Sequence, residues 1–309
     1  MRPGSFPPIS GDVHVRAPGK INLALGVGGR RSDGFHPLAT LFLAVSLYED
    51  LAASRADEPG LTVLGPHAAG VPTDGTNLAL RAALLLAEHL GIDPEVHLTV
   101  HKGVPVAGGM AGGSADAAAA LLACDALWES HLPPAELAEL AAELGSDVPF
   151  ALHGHAATGR GRGEQLAPAL VRGELHFALA IRDTGLSTPE VFARFDADHP
   201  GEPPAPRIPD VLLLALSAGD TNGVGRALSN DIQEAAFALA PDLEETCAAA
   251  AAAGALGVIV SGSGPTVAAL AADAAHARAL ANAMTAAGVV DSAVCAAGPV
   301  PGARVIRAR

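Results

Sequence analysis

Lys20 and Asn22 stand two residues apart in "APGKINLALGV" (residues 17–27), a spacing that puts an ammonium and a carboxamide on one face of a strand. Ile21, Leu23 and Leu25 alternate with them at the period of a half-buried strand, so the polar pair faces away from that apolar row. Only two lysines occur, Lys20 and Lys102, against seventeen arginines. A lysine kept in so arginine-rich a chain suggests a position that a guanidinium does not fit, because the two cations differ in geometry and titration. Downstream, "PVAGGMAGGSADAA" (residues 105–118) places Gly108, Gly109, Gly112 and Gly113 within six positions. The backbone amides of such a loop can converge on an anion, and the helix expected to open at about residue 114 adds free N–H groups and a positive dipole end. The plainer reading is a flexible turn before an ordinary helix whose first turn is capped by Ser114 and Asp116. Asp147 in "LGSDVPFAL" also has two readings: the cap of a short helical turn, or a carboxylate at the rim of a core, available as a base. In "GRRSDGFHPLATLF", Phe35 and His36 adjoin in a glycine-flanked turn, able to stack on a planar ring and to hydrogen-bond its edge. "SGSGPT" (residues 261–266) is either a tight hairpin turn or a second wall for phosphate.

These residues need elements to hold them. Residues 13–48 alternate like paired strands, interrupted by the turn-rich "GGRRSDGFHP". Residues 77–90 have helical spacing, with Asn77 as N-cap and Gly91 as the stop. "EVHLTVHKGVPV" reads as a strand that runs into the glycine loop. "PPAELAELAAELGSDVPF" reads as a helix started by Pro133 and Pro134 and stopped at Gly145. The loop "GHAATGRGRGEQL" precedes a strand, "ELHFALAIRD". A proline-rich connector at 200–209 leads to helices, a strand pair around Ser261–Thr266 and a last helix at about 274–287. Hairpins mixed with crossovers favour an α+β architecture over a doubly wound parallel sheet.

Composition removes several function classes. A net charge of −14 argues against a nucleic-acid surface and against adsorption to anionic lipid. It leaves nucleotides open, since a small phosphate site depends on backbone amides more than on net charge. The glycine loop is not a Walker A motif, because no lysine followed by Ser or Thr closes it, and no G-x-G-x-x-G follows a strand. Cys124, Cys247 and Cys295 are widely spaced and lack metal-ligand spacing, which suggests buried thiols in a reducing, cytoplasmic setting. "MRPGSFPPISGD" lacks the apolar core of a signal peptide and reads as a loose tail. The uncharged run from Cys247 to Ala272 is long enough to span a bilayer, but serines, glycines and a proline at its centre suit a helix, a strand, a turn and a second strand better.

Taken in order, these stretches resemble the GHMP kinases, the superfamily of galactokinase, homoserine kinase, mevalonate kinase and phosphomevalonate kinase. The resemblance runs from about Val13 to about Ala287 and rests on "APGKINLALGVGGRRSDGFHPLATLF", "PVAGGMAGGSADAA" and "LGSDVPF". It continues through "GRGRGEQL", "LSTPEVF", "LSNDIQEAA" and "VIVSGSGPTVAAL". Within the superfamily the chain looks most like the branch that phosphorylates 4-diphosphocytidyl-2-C-methyl-D-erythritol in non-mevalonate isoprenoid precursor biosynthesis. The resemblance implies a two-domain α+β fold. An N-terminal domain like ribosomal protein S5 domain 2 is expected over residues 1–173, and a ferredoxin-like C-terminal domain over 174–309.

It also implies ATP and Mg²⁺ as cofactors and transfer of the γ-phosphate to the substrate's tertiary 2-hydroxyl. By the resemblance Asp147 accepts the hydroxyl proton, and Lys20 keeps that carboxylate ionised and offsets charge on the transferring group. Asn22, Phe35, His36, Thr188 and Phe192 match substrate positions, with the cytosine stacked between Phe35 and Phe192 and its edge read by His36. Pro105, Gly108, Gly109, Gly112, Gly113 and Ser114 match the triphosphate loop, and Lys102 is expected to add charge near the nucleotide. No metal ligand is assigned. The partners implied are these small molecules, without nucleic acid or membrane, for a cytoplasmic monomer or weak homodimer. The chain departs from the family pattern in Gly19 for alanine, Phe35 for tyrosine, Ala107 and Ala111 for glycines, and Ala115 for serine, which puts a hydroxyl contact at 115 in doubt.

Overall fold

The alternating segments pair first. In the computed structural model, which describes residues 11–201 and 203–308, β1 (Val13–Val27) and β2 (Leu38–Ser54) run antiparallel, with Val13 opposite Ala53 and Val27 opposite Leu38. The segment read as a loose tail lies, apart from Gly11 and Asp12, outside the described residues. The β1/β2 register slips between Pro18 and Gly19 and again between Asn22 and Ala24. These irregularities bracket Lys20 and Asn22, and a bulge bends a strand and re-aims the side chains beside it. The second one also breaks the predicted alternation. Ile21 and Leu23 stay in one core cluster, whereas Leu25 joins another with Val191, Phe195 and Ile232.

β3 (Gly60–Leu64) lies parallel to β4 (His97–His101), and β4 pairs with β2. Between them α1 (Leu78–Leu90) is bounded as predicted: the Asn77 side chain accepts the Ala79 N–H, and Gly91 closes the helix at φ 67°. α2 (Gly112–Leu127) opens two residues earlier than expected. The caps expected from Ser114 and Asp116 are not made, because Ala111 is the N-cap, without a side-chain hydrogen bond. Alanine on most faces lets α2 lie buried on nearly all sides, against α1 and the sheet. Ala115 is fully buried in this cluster, so no group at that position reaches phosphate. α3 (Pro134–Leu144) ends at Gly145 as predicted, and α4 (Val148–His153) follows. The stretch 154–166, read as a loop, is instead the hairpin β5 (Ala156–Arg160) and β6 (Gln165–Pro168), with β5 on β2. Gly159, Gly161 and Gly163 erase the side-chain alternation that would have marked these strands.

A second, four-stranded antiparallel sheet has the order β11 (Ser292–Gly298), β7 (Leu175–Ile181), β10 (Val267–Ala271), β9 (Gly257–Val260). Its helices are α5 (Thr188–Asp198), α6 (Asp210–Ala218), α7 (Thr221–Ala227), α8 (Gln233–Leu239), α9 (Asp242–Ala252) and α10 (Ala274–Ala286). β7 shows how the halves are joined. Leu175, Phe177, Leu179 and Ile181 face the core shared with Ile21, Leu23, Leu41 and Leu43, whereas Ala178 and Ala180 face the helical layer. Small residues on that face let the helices approach the sheet closely. Two short strands from the second half return to the first sheet: β8 (Ser229–Asn230) lies parallel to β1, and β12 (Arg304–Ala308) pairs with its outer edge. The uncharged run from Cys247 resolves into the end of α9, β9, a glycine turn and β10. Among the described residues no helix is long and apolar enough to cross a membrane.

Candidate active site

A cleft of about 920 Å³ opens where β1, the glycine loop, α5 and the 261–266 turn meet. Lys20 lies in its floor, nearly buried, and its three N–H donors have defined surroundings. One donates to Asn22 Oδ1 at 2.8 Å and one to the Gly109 carbonyl at 2.8 Å. The ammonium stands 3.8 Å from Asp147 Oδ2, beyond hydrogen-bond range, so a donor remains for a group entering between them. The Phe42 ring, 5.8 Å away, backs the charge on the apolar side. Burial pulls the Lys20 pKa below the ordinary lysine value, and Asp147 opposes that shift. Asn22 is committed to this arrangement: its amide nitrogen donates to Thr40 Oγ1 (2.8 Å), and Thr40 in turn donates to the Ala24 carbonyl (2.8 Å). Asp147 occupies the N-cap position of α4, yet its side chain caps nothing and faces Lys20 instead. Of the two readings of Asp147, the geometry removes the cap.

The glycine loop is pressed against the 261–266 turn. Gly109 has φ +72°, and a Cβ there would lie 2.1 Å from the Ser261 carbonyl oxygen and 2.9 Å from that of Gly264. Only glycine fits. The Gly109 carbonyl accepts from Lys20 and also from Ser261 Oγ at 3.0 Å, which fastens the turn, the loop and the ammonium at one atom. Gly262 and Ser263 line the cleft, so the turn is a second wall rather than a remote hairpin end. Pro105, Gly108, Gly112, Gly113 and Ser114 line it too, with the uncapped amides at the start of α2 on this side. Ala107 (φ 52°) and Ala111 (φ 57°), which stand where the family pattern has glycines, are both left-handed, at a cost of about 1 kcal/mol each.

Lys102 is not at the cleft. Its side chain is 2% exposed, and its ammonium is held by Glu49 Oε1 at 2.6 Å and Asp116 Oδ2 at 2.5 Å. Glu49 Oε2 accepts the Gly103 N–H at 2.9 Å, so this buried triad ties β2 and β4 to the first turns of α2 on both sides of the phosphate loop. A Cβ on Gly112 would lie 2.9 Å from Glu49 Oε1, so glycine lets the helix begin directly over the triad. Burial, then Asp116, pushes Glu49 up to about 8 against the pull of Lys102, and burial raises Asp116 as well. Burial works against the Lys102 charge, but Asp116 and Glu49 together raise its pKa. The expected charge beside the nucleotide is a structural pin under the loop.

At the far end, Phe35 is half exposed, with the Arg162 guanidinium 5.2 Å from its ring centroid. His36 is buried, donates from Nδ1 to the Gly28 carbonyl (2.9 Å), and stacks against Phe192 with centroids 5.0 Å apart. Thr188 Oγ1 meets Ser263 Oγ at 2.8 Å, which joins α5 to the second wall. All of these, like Lys20 and Asp147, line the one cleft. Sequence reasoning missed Asp196, whose Oδ1 lies 3.5 Å from His36 Nε2. The spacing Thr188–Phe192–Asp196, four residues each time, is the signal that would have found it.

Comparison with known proteins gives the family. Residues 77–155 match the GHMP kinases N terminal domain and residues 212–290 the GHMP kinases C terminal domain. The 4-diphosphocytidyl-2-C-methyl-D-erythritol kinase of Thermobifida fusca is 55% identical over 95% of this chain and 98% of its own length. That of Streptomyces avermitilis is 53% identical over 95% and 99%. A crystal structure of a 4-(cytidine 5'-diphospho)-2C-methyl-D-erythritol kinase superposes with a TM-score of 0.75 at 34% identity, covering 92% of this chain and 98% of that one. Homoserine kinase from Cytophaga hutchinsonii, at 20% identity and a TM-score of 0.75, shares the fold. With the Lys20–Asp147 pair facing an uncapped, glycine-lined helix start, and with these relatives matched over nearly its whole length, the chain belongs to the GHMP kinases, in the branch of the 4-diphosphocytidyl-2-C-methyl-D-erythritol kinases.

Proposed function

We propose that the cleft transfers the γ-phosphoryl group of ATP to the 2-hydroxyl of 4-diphosphocytidyl-2-C-methyl-D-erythritol. The observation that carries this reading is the Lys20 ammonium, held by Asn22 and Gly109 and left 3.8 Å from Asp147. The hydroxyl oxygen attacks the γ-phosphorus, the bond to the ADP oxygen breaks, and the hydroxyl proton passes to Asp147. Phosphoryl transfer asks the protein mainly for positioning and charge stabilisation. Lys20 supplies a fixed positive charge for the oxygens of the transferring group, and the amides of Gly112, Gly113 and Ser114 receive the nucleotide phosphates. Phe35, His36 and Phe192 take the cytosine, a stack that a substrate without a nucleobase does not use.

Mg²⁺ keeps several waters and needs only one or two protein oxygens when phosphates supply the rest. Among the described residues no cluster of three His, Cys, Asp or Glu side chains forms a cage, and Glu49 and Asp116 are taken by Lys102. Ser114, whose residue lines the cleft beside the loop amides, fits an ion that enters with the nucleotide and would hold it there. When bound, the ion neutralises charge on the β- and γ-phosphate oxygens.

With ATP, Mg²⁺ and the cytidyl substrate, the purified protein should yield ADP and the 2-phosphate. Turnover of mevalonate or homoserine in its place would refute the assignment. Asp147→Asn should lower kcat by about 10²- to 10⁴-fold, the range of a lost general base, and leave the Kd for ATP unchanged. A fully active Asn variant would remove Asp147 from the chemistry.

A further inference from the structure

The geometry points to Asp196 as the group that selects cytosine over uracil, by accepting a hydrogen bond from the exocyclic amine of the substrate's base. This rests on the reading that the base lies against Phe35, His36 and Phe192.

α5 turns Thr188, Phe192 and Asp196 to the cleft at four-residue intervals, while Val191 and Phe195 enter the core. Thr188 is anchored on Ser263 and Phe192 on the His36 ring, so the helix face is fixed at two points before Asp196 is reached. The Asp196 carboxylate is about one-third exposed and lies beside the buried imidazole, with Oδ1 3.5 Å from Nε2. That separation is longer than a good N–H···O bond, so neither group fully satisfies the other.

The carbonyl of Gly28 can only accept, so the proton on His36 Nδ1 is fixed. In the neutral ring Nε2 is then an acceptor, and it shares the edge of the cleft with a carboxylate that can only accept. A ligand group that complements this edge must bring N–H donors. The exocyclic amine of cytosine carries two. Uracil presents a carbonyl oxygen at the same place, which would face the carboxylate with no proton between them. If His36 is instead protonated, its Nε2–H serves the ring nitrogen, and the amine still needs Asp196. In both protonation states the carboxylate accepts from the amine and opposes the carbonyl.

The experiment compares wild type, Asp196→Ala and Asp196→Asn on the cytidine- and uridine-diphosphate-linked methylerythritols, with CDP and UDP as competitive inhibitors. Asp196→Ala should lower kcat/KM for the cytidyl substrate by about 10- to 100-fold, the range for a lost hydrogen bond to a charged group, almost entirely through KM. The uridyl analogue should be unchanged or improved, and the CDP-over-UDP preference should shrink by the same factor. Asp196→Asn offers both an acceptor and a donor, so it should gain uridyl activity while keeping part of the cytidyl activity. KM for ATP should not move in either variant. An alanine variant that keeps the wild-type preference, or that loses both substrates equally, overturns the assignment. Wild type that ignores the cytidyl substrate altogether would overturn the underlying reading of the site, and this one with it.

Discussion

Lys102→Met separates two roles that the sequence leaves indistinguishable. If the lysine lies beside the nucleotide, its loss raises KM for ATP and leaves stability alone. The structure places it 2% exposed between Glu49 and Asp116, at 2.6 and 2.5 Å. Removing one partner of a buried ion pair costs about 3–5 kcal/mol, because the remaining charges lose compensation without regaining water. Here part of that cost is recoverable, since Glu49 is already pushed up to about 8 and can stay protonated. The loss should therefore sit near the low end, about 3 kcal/mol, at pH 6 and grow towards pH 9 as the carboxyl groups are forced to ionise without a counter-charge. The sign for the wild type follows from the same group. A carboxyl whose folded pKa lies above its unfolded value contributes stability below the unfolded pKa, about 4.5, and loses it as pH rises through about 8. Glu49→Gln removes that slope. Urea denaturation at pH 6 and pH 9 reads both effects, and Glu49→Gln/Lys102→Met/Asp116→Asn, which leaves no charge in the triad, should recover most of the loss at either pH. A Lys102→Met protein with wild-type stability at both pH values and a raised KM for ATP would refute the reasoning.

Two further outcomes follow from the loop and the ammonium. Gly109→Ala places a Cβ 2.1 Å from the Ser261 carbonyl oxygen at a left-handed φ, so the loop must leave the turn and release the Lys20 contact. It should lower kcat by at least about tenfold, the cost of a small misplacement of reacting groups, whereas Gly113→Ala, which meets only Leu78 Cδ1 at 3.5 Å, should leave thermal stability unchanged; equal behaviour of the two would contradict the packing argument. Burial lowers the Lys20 pKa, so the charged form is lost on the alkaline side earlier than for an exposed lysine. kcat should fall as pH rises, with a midpoint below 10.5, and a profile flat to that pH would exclude the ammonium from the rate-limiting step.

Much of the site was legible in the chain, and for local reasons. The two-residue spacing of Lys20 and Asn22 sets a common face wherever a strand forms, and the 108–113 glycines announce backbone close to an anion. Asn77 and Gly91 bound α1 as their cap chemistry dictates. What failed also failed for physical reasons. Gly159, Gly161 and Gly163 carry no side chains to alternate, so the β5–β6 hairpin read as a loop. Leu25 left its expected face because a bulge, which depends on the partner strand, falls two residues before it. The local residues alone left Asp147 with two readings, because capping is a local property, whereas the ammonium it faces is more than a hundred residues away.

The sequence by itself determined the α+β class and the family, because these are written in residue types, short spacings and the order of the motifs along the chain. Only the tertiary structure decided that Lys20 is a cleft residue and Lys102 a buried pin. Lys20 lies within β1 and Lys102 directly after β4, and the residues around each do not say which ammonium a carboxylate consumes. The difference lies in what the fold brings to each: two carboxylates from β2 and α2 consume the charge of Lys102, whereas a single carboxylate at 3.8 Å leaves that of Lys20 partly uncommitted.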